Sequence, residues 1–180
     1  FPPGMVQLEV GVQTFNPEVA KRISRPMKIE KVCVNLQALH EKTDVHMHVD
    51  LIVGLPGETI ASFGTGFDRL HALGPHEIQV GLLKRLKGTP IRQYTDDFAI
   101  VYSPNPPFEV MKTQALGFQE MTAMKRFARF WDLVVNNGQF PQTCLWIWRD
   151  QGSVFEAFQA FTRWVYTTLG RTSPISLLKL

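Results

Sequence analysis

The stretch VHMHVDLIVGL, residues 45–55, contains a nearly continuous apolar run that decides the fold. Such a run is typical of a strand that is buried on both faces of a parallel sheet. Helical patterns stand on both sides of it, KIEKVCVNLQALHEK before and TIASFGTGFDRLHALG after. Two further strands are predicted, at MVQLEVGVQ (residues 5–13) and HEIQVGLLKRL (residues 76–86). This order of elements predicts an α/β fold whose parallel strands belong to right-handed β-α-β units, as in a (β/α) barrel or a doubly wound sheet.

The second half of the chain has a different texture. A proline-rich joint, YSPNPPF (residues 102–108), precedes two stretches in which aromatic and other apolar residues recur every three or four positions. We therefore predict an all-helical C-terminal domain at residues 94–180 behind a β/α domain at residues 1–93. The aromatic stripes are typical of packing core, and an aromatic binding face is the less favoured interpretation.

Composition excludes several classes of function. Hydrophobic residues make up 44% of the chain, and 19 Lys and Arg stand against 16 Asp and Glu without a basic stripe, so nucleic-acid binding is not indicated. The chain has two cysteines, and no apolar run of membrane-spanning length or signal peptide is evident. These features predict a cytoplasmic protein that does not associate with membranes.

The carboxyl ends of the predicted strands are where a parallel β/α fold places its ligand. The first strand ends at Gln13, an amide that both donates and accepts, and Asn16-Pro17 begins a helix next to it. Arg25 follows that helix and offers a planar fork suited to a carboxylate. An arginine in solvent beside an ordinary capped helix is an equally weighted alternative.

The second strand is expected to end near Asp50, whose carboxylate could accept hydrogen bonds from a ribose diol or satisfy loop amides. His46 and His48 share its face at a spacing of two, a pattern that metal-dependent hydrolases also use. The third strand supplies no further ligand beyond His76, which lies at its opposite end. Barrel-lining histidines are the favoured interpretation. After the third strand, Lys84 and its basic neighbours form either a steering site for an anion or a solvated loop.

Three segments in order, EVGVQTFNPEVAKRISR, VHMHVDLIVGLPGET and PHEIQVGLLKRLKGTPI, resemble the last three strands of the partial (β/α) barrel of radical S-adenosylmethionine enzymes. The GVQTFN segment is similar to one in the oxygen-independent coproporphyrinogen oxidases. The resemblance implies that Gln13 lies at S-adenosylmethionine, that Arg25 pairs with its methionyl carboxylate, and that Asp50 holds the ribose hydroxyls. It also implies that Glu9 points into the barrel toward cofactor or substrate.

The resemblance further implies an iron-sulfur cluster, and the later residues look like the helical domain of radical enzymes that carry cobalamin. The family binds its 4Fe-4S cluster through a loop with three closely spaced cysteines, which this chain lacks, having only Cys33 and Cys144. We therefore expect no cluster and no cleavage of the cofactor by these 180 residues alone, and we assign no catalytic residue. A C-terminal fragment of a longer enzyme is favoured over a relative that has lost its chemistry.

Two expectations concern partners. An exposed edge of the three-stranded sheet could pair with a second copy of the chain, which would give a homodimer. A rival hypothesis, a non-catalytic binding module, predicts an exposed apolar patch on the helices at residues 118–131 or 155–164. The substrate is not predicted.

Overall fold

A computed structural model describes residues 2–172 and contains a three-stranded parallel sheet. Its strands are β1 (Gln7–Gln13), β2 (His46–Val53) and β3 (Glu77–Leu82), in the spatial order β1-β2-β3. Both pairings are parallel, which confirms the predicted α/β class and strand order. The outer strands are β1 and β3, and pairing of a second copy with either one stays a prediction.

Three helices connect these strands. Helices α1 (Pro17–Arg22) and α2 (Ile29–Lys42) lie between β1 and β2, and α3 (Ile60–Ala72) lies between β2 and β3. The side chain of Asn16 caps α1 by accepting hydrogen bonds from the backbone of Glu18 and Val19, as the sequence predicts.

The two faces of the sheet differ. Along β2 every second residue, from Met47 to Val53, is at most 2% exposed and belongs to the hydrophobic core. The alternate residues, from His46 to Ile52, are only partly buried and lie on the opposite face. One face of the sheet therefore carries the core, and the other presents polar side chains.

The second half of the chain begins with a small antiparallel ribbon that the sequence pattern did not predict. Its strands are β4 (Val101–Tyr102) and β5 (Val110–Lys112). An isolated antiparallel β-bridge between the backbones of Lys84 and Glu109 connects the ribbon to the segment after β3. Helix α4 (Phe118–Trp131) follows and continues into a π-helical turn at Asp132–Asn136. The chain then forms two further helices, α5 (Pro141–Trp148) and α6 (Val154–Leu169).

Aromatic residues join the two halves of the chain. The ring of Phe67 on α3 meets Phe127, Trp131 and Phe155 edge-on or tilted, with centroid distances of 4.7–5.8 Å. All four are at most 4% exposed, which confirms the interpretation of the helical stripes as packing core. The proposed division at residue 93 stays a prediction, because residues of both halves contribute to one core.

Some aromatic residues of these helices are exposed instead. Phe118 is 55% exposed, Trp164 is 62% exposed and Trp146 is 71% exposed. Within residues 2–172, no helix is long and apolar enough to cross a membrane.

Candidate functional site

The carboxyl end of β1 departs from regular strand geometry. Gly11 pairs with Asp50 and Gln13 pairs with Leu51, so one extra residue is inserted in β1 at this point. Gln13 has φ of 70°, in the left-handed region that residues other than glycine seldom adopt. Bulges that re-aim a side chain are frequent beside functional sites, and this one ends the strand at the rim of the sheet.

Gly11 is the place where the predicted residues meet. Nη1 of Arg25 donates a hydrogen bond to the Gly11 carbonyl oxygen at 3.2 Å. A Cβ atom added at Gly11 would lie 2.6 Å from Nε2 of Gln13 and 3.2 Å from Nη1 of Arg25. The missing side chain therefore lets the amide and the guanidinium approach one another over the strand.

Sequence reasoning missed Gly11. Its signal is an isolated glycine inside a strand pattern, which often marks a bulge or a close approach.

A cavity of about 420 Å³ opens at this rim. Gln13, Arg25 and Lys84 supply its polar side chains, and Gly81 of β3 also lines it. The remaining wall is mostly apolar: Ile23, Ile52, Leu55, Leu82, Leu83, Leu86, Thr89, Pro90 and Ile91. A concave apolar site with a few convergent polar groups is the usual form of a small-molecule site.

Asp50 does not end its strand, contrary to prediction. Strand β2 continues for three residues to Val53, because Leu51, Ile52 and Val53 keep their parallel pairing with β3. Asp50 therefore lies below the rim and does not line the cavity.

Glu9 is an acidic residue whose charge acts on Asp50. Burial raises the pKa of Asp50, the charge of Glu9 raises it further, and His48 acts in the opposite direction. Glu9 pairs with His48 in the sheet, two residues before the Gly11–Asp50 pair, so Glu9 and Asp50 lie on the same face. The structure thus groups the four predicted residues around Gly11, two at the rim and two below it, and their ligand roles stay predictions.

The two histidines of β2 contact a carboxylate that the sequence did not single out. Nε2 of His46 lies 2.9 Å from Oε1 of Glu77, and Nε2 of His48 contacts Oε2 of the same residue. Burial acts to raise the pKa of Glu77, but the hydrogen bonds with His48 and His46 outweigh it and lower that pKa.

Across residues 2–172, no set of three His, Cys, Asp or Glu side chains is arranged to hold a metal ion. These contacts therefore fit the predicted barrel-lining histidines, and the metal-dependent hydrolase gains no support from this part of the chain.

The basic residues after β3 have separate surroundings. Lys84 lines the cavity, whereas Arg85 lies over the rings of Tyr102 and Phe108 at 5.6 and 5.8 Å from their centroids. Lys87 is exposed. Of the three, Lys84 is the one placed to meet an anion in the cavity.

The two cysteines lie on different elements. Cys33 is half-buried on α2, and Cys144 is buried on α5 with its thiol directed at the carbonyl oxygen of Val134 at 3.6 Å. Burial also raises the pKa of the Cys144 thiol, which disfavours the thiolate that metal binding needs. These two residues do not form an iron-sulfur site.

Two known families match different parts of the chain. Residues 3–70 match the family described as the radical SAM superfamily. Residues 96–173 match a family described as a protein of unknown function, DUF4080. The first match covers β1, β2 and most of α3, and it includes the rim with Gln13 and Arg25.

Curated relatives include enzymes that are named for different substrates. The oxygen-independent coproporphyrinogen III oxidase of Escherichia coli is 27% identical over 97% of this chain and 35% of its own length. The ribosomal protein uS12 methylthiotransferase of Paraburkholderia phymatum is 28% identical over 68% of this chain and 26% of its own length. The chain thus spans about a third or less of these relatives.

Among solved structures, coproporphyrinogen III oxidase from Escherichia coli, described as a radical SAM enzyme, is 33% identical over 43% of this chain and 18% of its own, with a TM-score of 0.40. The likeness to the radical SAM superfamily rests on the matched family and the curated relatives. Residues 3–70 of this chain resemble that superfamily.

Proposed function

We propose that this chain provides the S-adenosylmethionine-binding rim of a radical SAM enzyme. The observation that carries the proposal is the convergence of the Gln13 amide and the Arg25 guanidinium over Gly11, at the mouth of the cavity at the strand ends. Arg25 would pair with the methionyl carboxylate of the cofactor, and Gln13 would lie beside it. The match of residues 3–70 to the radical SAM superfamily supports the choice of this ligand.

The donor set suits a carboxylate. A guanidinium carries five N–H donors, and Arg25 commits Nη1 to the Gly11 carbonyl oxygen, which fixes the orientation of the plane. The other donors remain available for a two-point contact with a carboxylate, an arrangement that an ammonium group cannot reproduce. The apolar wall of the cavity would cover the nonpolar surfaces of a nucleoside.

Asp50 and Glu9 have the second part in this proposal. Asp50 would accept hydrogen bonds from the ribose hydroxyls, and Glu9 would face cofactor or substrate on the same side of the sheet. Both carboxylates lie on the polar face, and the charge of Glu9 contributes to the raised pKa of Asp50. On binding, the ribose hydroxyls would give up hydrogen bonds to water and form hydrogen bonds to the partly buried carboxylate of Asp50 instead.

The cleavage chemistry would come from elsewhere in the site. In radical SAM enzymes a reduced 4Fe-4S cluster supplies the electron that splits the cofactor and yields a deoxyadenosyl radical. Cys33 and Cys144 do not fit such a cluster, so its ligands would be other cysteines, as expected if these residues form the C-terminal part of a longer enzyme. The residues described here would bind and orient the cofactor and keep water from it.

The reaction is proposed only as radical chemistry on an unassigned substrate. Oxidation of coproporphyrinogen and methylthiolation of a ribosomal protein are the reactions named for two relatives, and both are oxidoreductase or transferase chemistry. Cobalamin dependence stays a prediction that rests on the resemblance of residues 94–180 to the helical domain of such enzymes.

Calorimetric titration of the purified chain with S-adenosylmethionine tests the proposal. We expect binding by the wild type and a loss of at least about tenfold in affinity for Arg25→Ala, because a charged hydrogen bond is lost. Arg92→Ala is the matched control, since Arg92 is exposed and does not line the cavity. Equal affinities of the wild type and Arg25→Ala would contradict the proposal.

A further inference from the structure

A buried carboxyl group lies behind the rim. Glu58, in the loop between β2 and α3, is 2% exposed, and burial raises its pKa to about 7. Oε1 of Glu58 accepts a hydrogen bond from the hydroxyl of Thr14, which is also 2% exposed. Oε2 makes no hydrogen bond of good geometry among the described residues, although the hydroxyl of Ser62, like that of Thr14, acts to lower the raised pKa. Burying such a group is costly, so its retention calls for a role.

Thr14 connects this carboxyl to the bulge. It follows Gln13 directly, and its backbone N–H donates to the carbonyl oxygen of Val12 at 2.9 Å. Its hydroxyl oxygen also accepts a hydrogen bond from the backbone N–H of Asn16 at 3.0 Å. The Thr14 hydroxyl therefore donates its single hydrogen to the bond with Glu58 and accepts the bond from Asn16, so both contacts hold this side chain in place. The left-handed backbone of Gln13 is therefore fixed by the residue that Glu58 anchors.

A second contact, between Asn16 and Ser62, anchors α1, the helix that leads to Arg25. The amide of Asn16 caps α1 and donates to the Ser62 hydroxyl on α3 at 2.9 Å. At the other end of α1, the backbone N–H of Arg25 donates to the carbonyl oxygen of Ala20 at 2.8 Å. The Asn16–Ser62 contact thus anchors the helix that leads to Arg25, whereas the separate Thr14–Glu58 contact holds the bulge that carries Gln13.

We infer that Glu58 is a positioning residue for the cofactor rim: by accepting the hydrogen bond that the Thr14 hydroxyl donates, it holds the bulge that aims Gln13 at the cavity. The inference rests on the proposed function, because the effect is read through ligand binding. Glu58 does not itself line the cavity. Its backbone N–H donates to the carbonyl oxygen of Leu55, a wall residue, at 3.1 Å, whereas its carboxyl group reaches the rim through Thr14 and Gln13.

The test measures the affinity of the full 180-residue chain for S-adenosylmethionine in variants of this contact. Glu58→Leu removes the acceptor and keeps a buried side chain, and we expect a loss of about fivefold to tenfold in affinity, the effect of one misplaced hydrogen-bonding group. Glu58→Gln keeps an acceptor for Thr14 and should restore most of that affinity. Thr14→Val removes the donor with little change of volume and should match Glu58→Leu, and it serves if Glu58→Leu fails to fold.

A double-mutant cycle separates positioning from general stabilisation. In a Gln13→Ala background, Glu58→Leu should cost no further affinity, because the side chain that it positions is gone. A purely structural role would make the two losses additive, and that result would overturn the inference, as would unchanged affinity in both Glu58→Leu and Thr14→Val. If the wild type binds and Arg25→Ala weakens binding while these variants do not, the inference fails and the proposed function stands. If the wild type binds no cofactor, both fail.

Discussion

The aromatic core between α3, α4 and α6 and the rim at the end of β1 are built on opposite rules. In the core, Phe67, Phe127 and Phe158 are fully buried, and their positions follow helical spacing. At the rim, Gln13 sits in a left-handed conformation, and its neighbour Gly11 has no side chain at all. Regular periodicity thus produces the packing, and local departures from regularity produce the site.

The difference is also one of energy. The core buries large apolar side chains in edge-to-face contact, which stabilises the fold. The rim keeps a strained residue, an arginine fork and, behind them, a carboxyl group that burial disfavours in its charged form. Substitutions in the core should therefore change stability, and substitutions at the rim should chiefly change ligand affinity.

The largest expected effect belongs to the core. Phe127→Ala should lower the free energy of unfolding by about 3–5 kcal/mol, because it opens a cavity among rings that cannot collapse onto one another. Phe118→Ala, at a residue that is 55% exposed on the same helix, should change it by less than about 0.5 kcal/mol. Urea denaturation of both variants measures the contrast, and equal effects would show that the aromatic layer is not the core.

The buried carboxyl should give the next largest effect, visible as pH dependence. Glu58 has a folded pKa of about 7 against an ordinary value of 4.5, so the folded state holds its proton more tightly than the unfolded state. Its contribution to stability is full below the ordinary pKa and is lost as the pH rises through about 7, by on the order of 3 kcal/mol.

Glu58→Gln should remove this decrease of the free energy of unfolding with rising pH. Burial lowers the pKa of His71, which gives an opposite slope in both proteins and cancels in their difference. Denaturation curves collected between pH 5 and pH 8 on wild type and variant give that difference directly. A constant difference across the range would contradict the buried, proton-holding state of Glu58.

A smaller effect should separate the rim from the core. Gly11→Ala places a methyl group where the Gln13 amide and the Arg25 guanidinium meet, so affinity for S-adenosylmethionine should fall about tenfold. The free energy of unfolding should change by about 1 kcal/mol or less. Gly152→Ala is the control, because nothing lies within 4 Å of a Cβ atom added there. If both variants bind the cofactor like the wild type, Gly11 is not the meeting point of a site.

A small change in stability is also expected at Gln13 itself. Gln13→Gly relieves the strain of the left-handed backbone but increases the conformational entropy of the unfolded chain. These two effects oppose one another, so the free energy of unfolding should change by less than about 1 kcal/mol. Cofactor affinity should nevertheless fall, since the amide is gone. Paired calorimetry and denaturation measure both, and a large loss of stability with unchanged affinity would reverse the contrast between core and rim.

The sequence predicted the regular elements well. The apolar run around Met47, the capped helix at Asn16 and the aromatic stripes each have a period or a boundary residue that local physics determines. The end of β2 was predicted three residues too early, because Asp50 suggested a loop while the Leu51–Val53 stretch kept its pairing with β3. The ribbon β4–β5 was not predicted, since such short strands depend on pairing with a distant segment, here through the backbone β-bridge between Lys84 and Glu109.

The site was predictable only in part. Family resemblance identified Gln13 and Arg25, and the structure brings them together at the rim. Gly11 and the Thr14–Glu58 contact escaped notice because they depend on a register shift and on residues 44 positions apart. Neither leaves a periodic signal in the sequence.

The central claim is that Arg25 recognises the carboxylate of S-adenosylmethionine, and a comparison of two ligands tests it most directly. Calorimetry on wild type and Arg25→Ala would measure affinity for S-adenosylmethionine and for its decarboxylated analogue, which lacks only that carboxylate. The account predicts that the wild type prefers the intact cofactor by at least about tenfold and that Arg25→Ala shows no preference. Equal affinity of the wild type for the two ligands would contradict it.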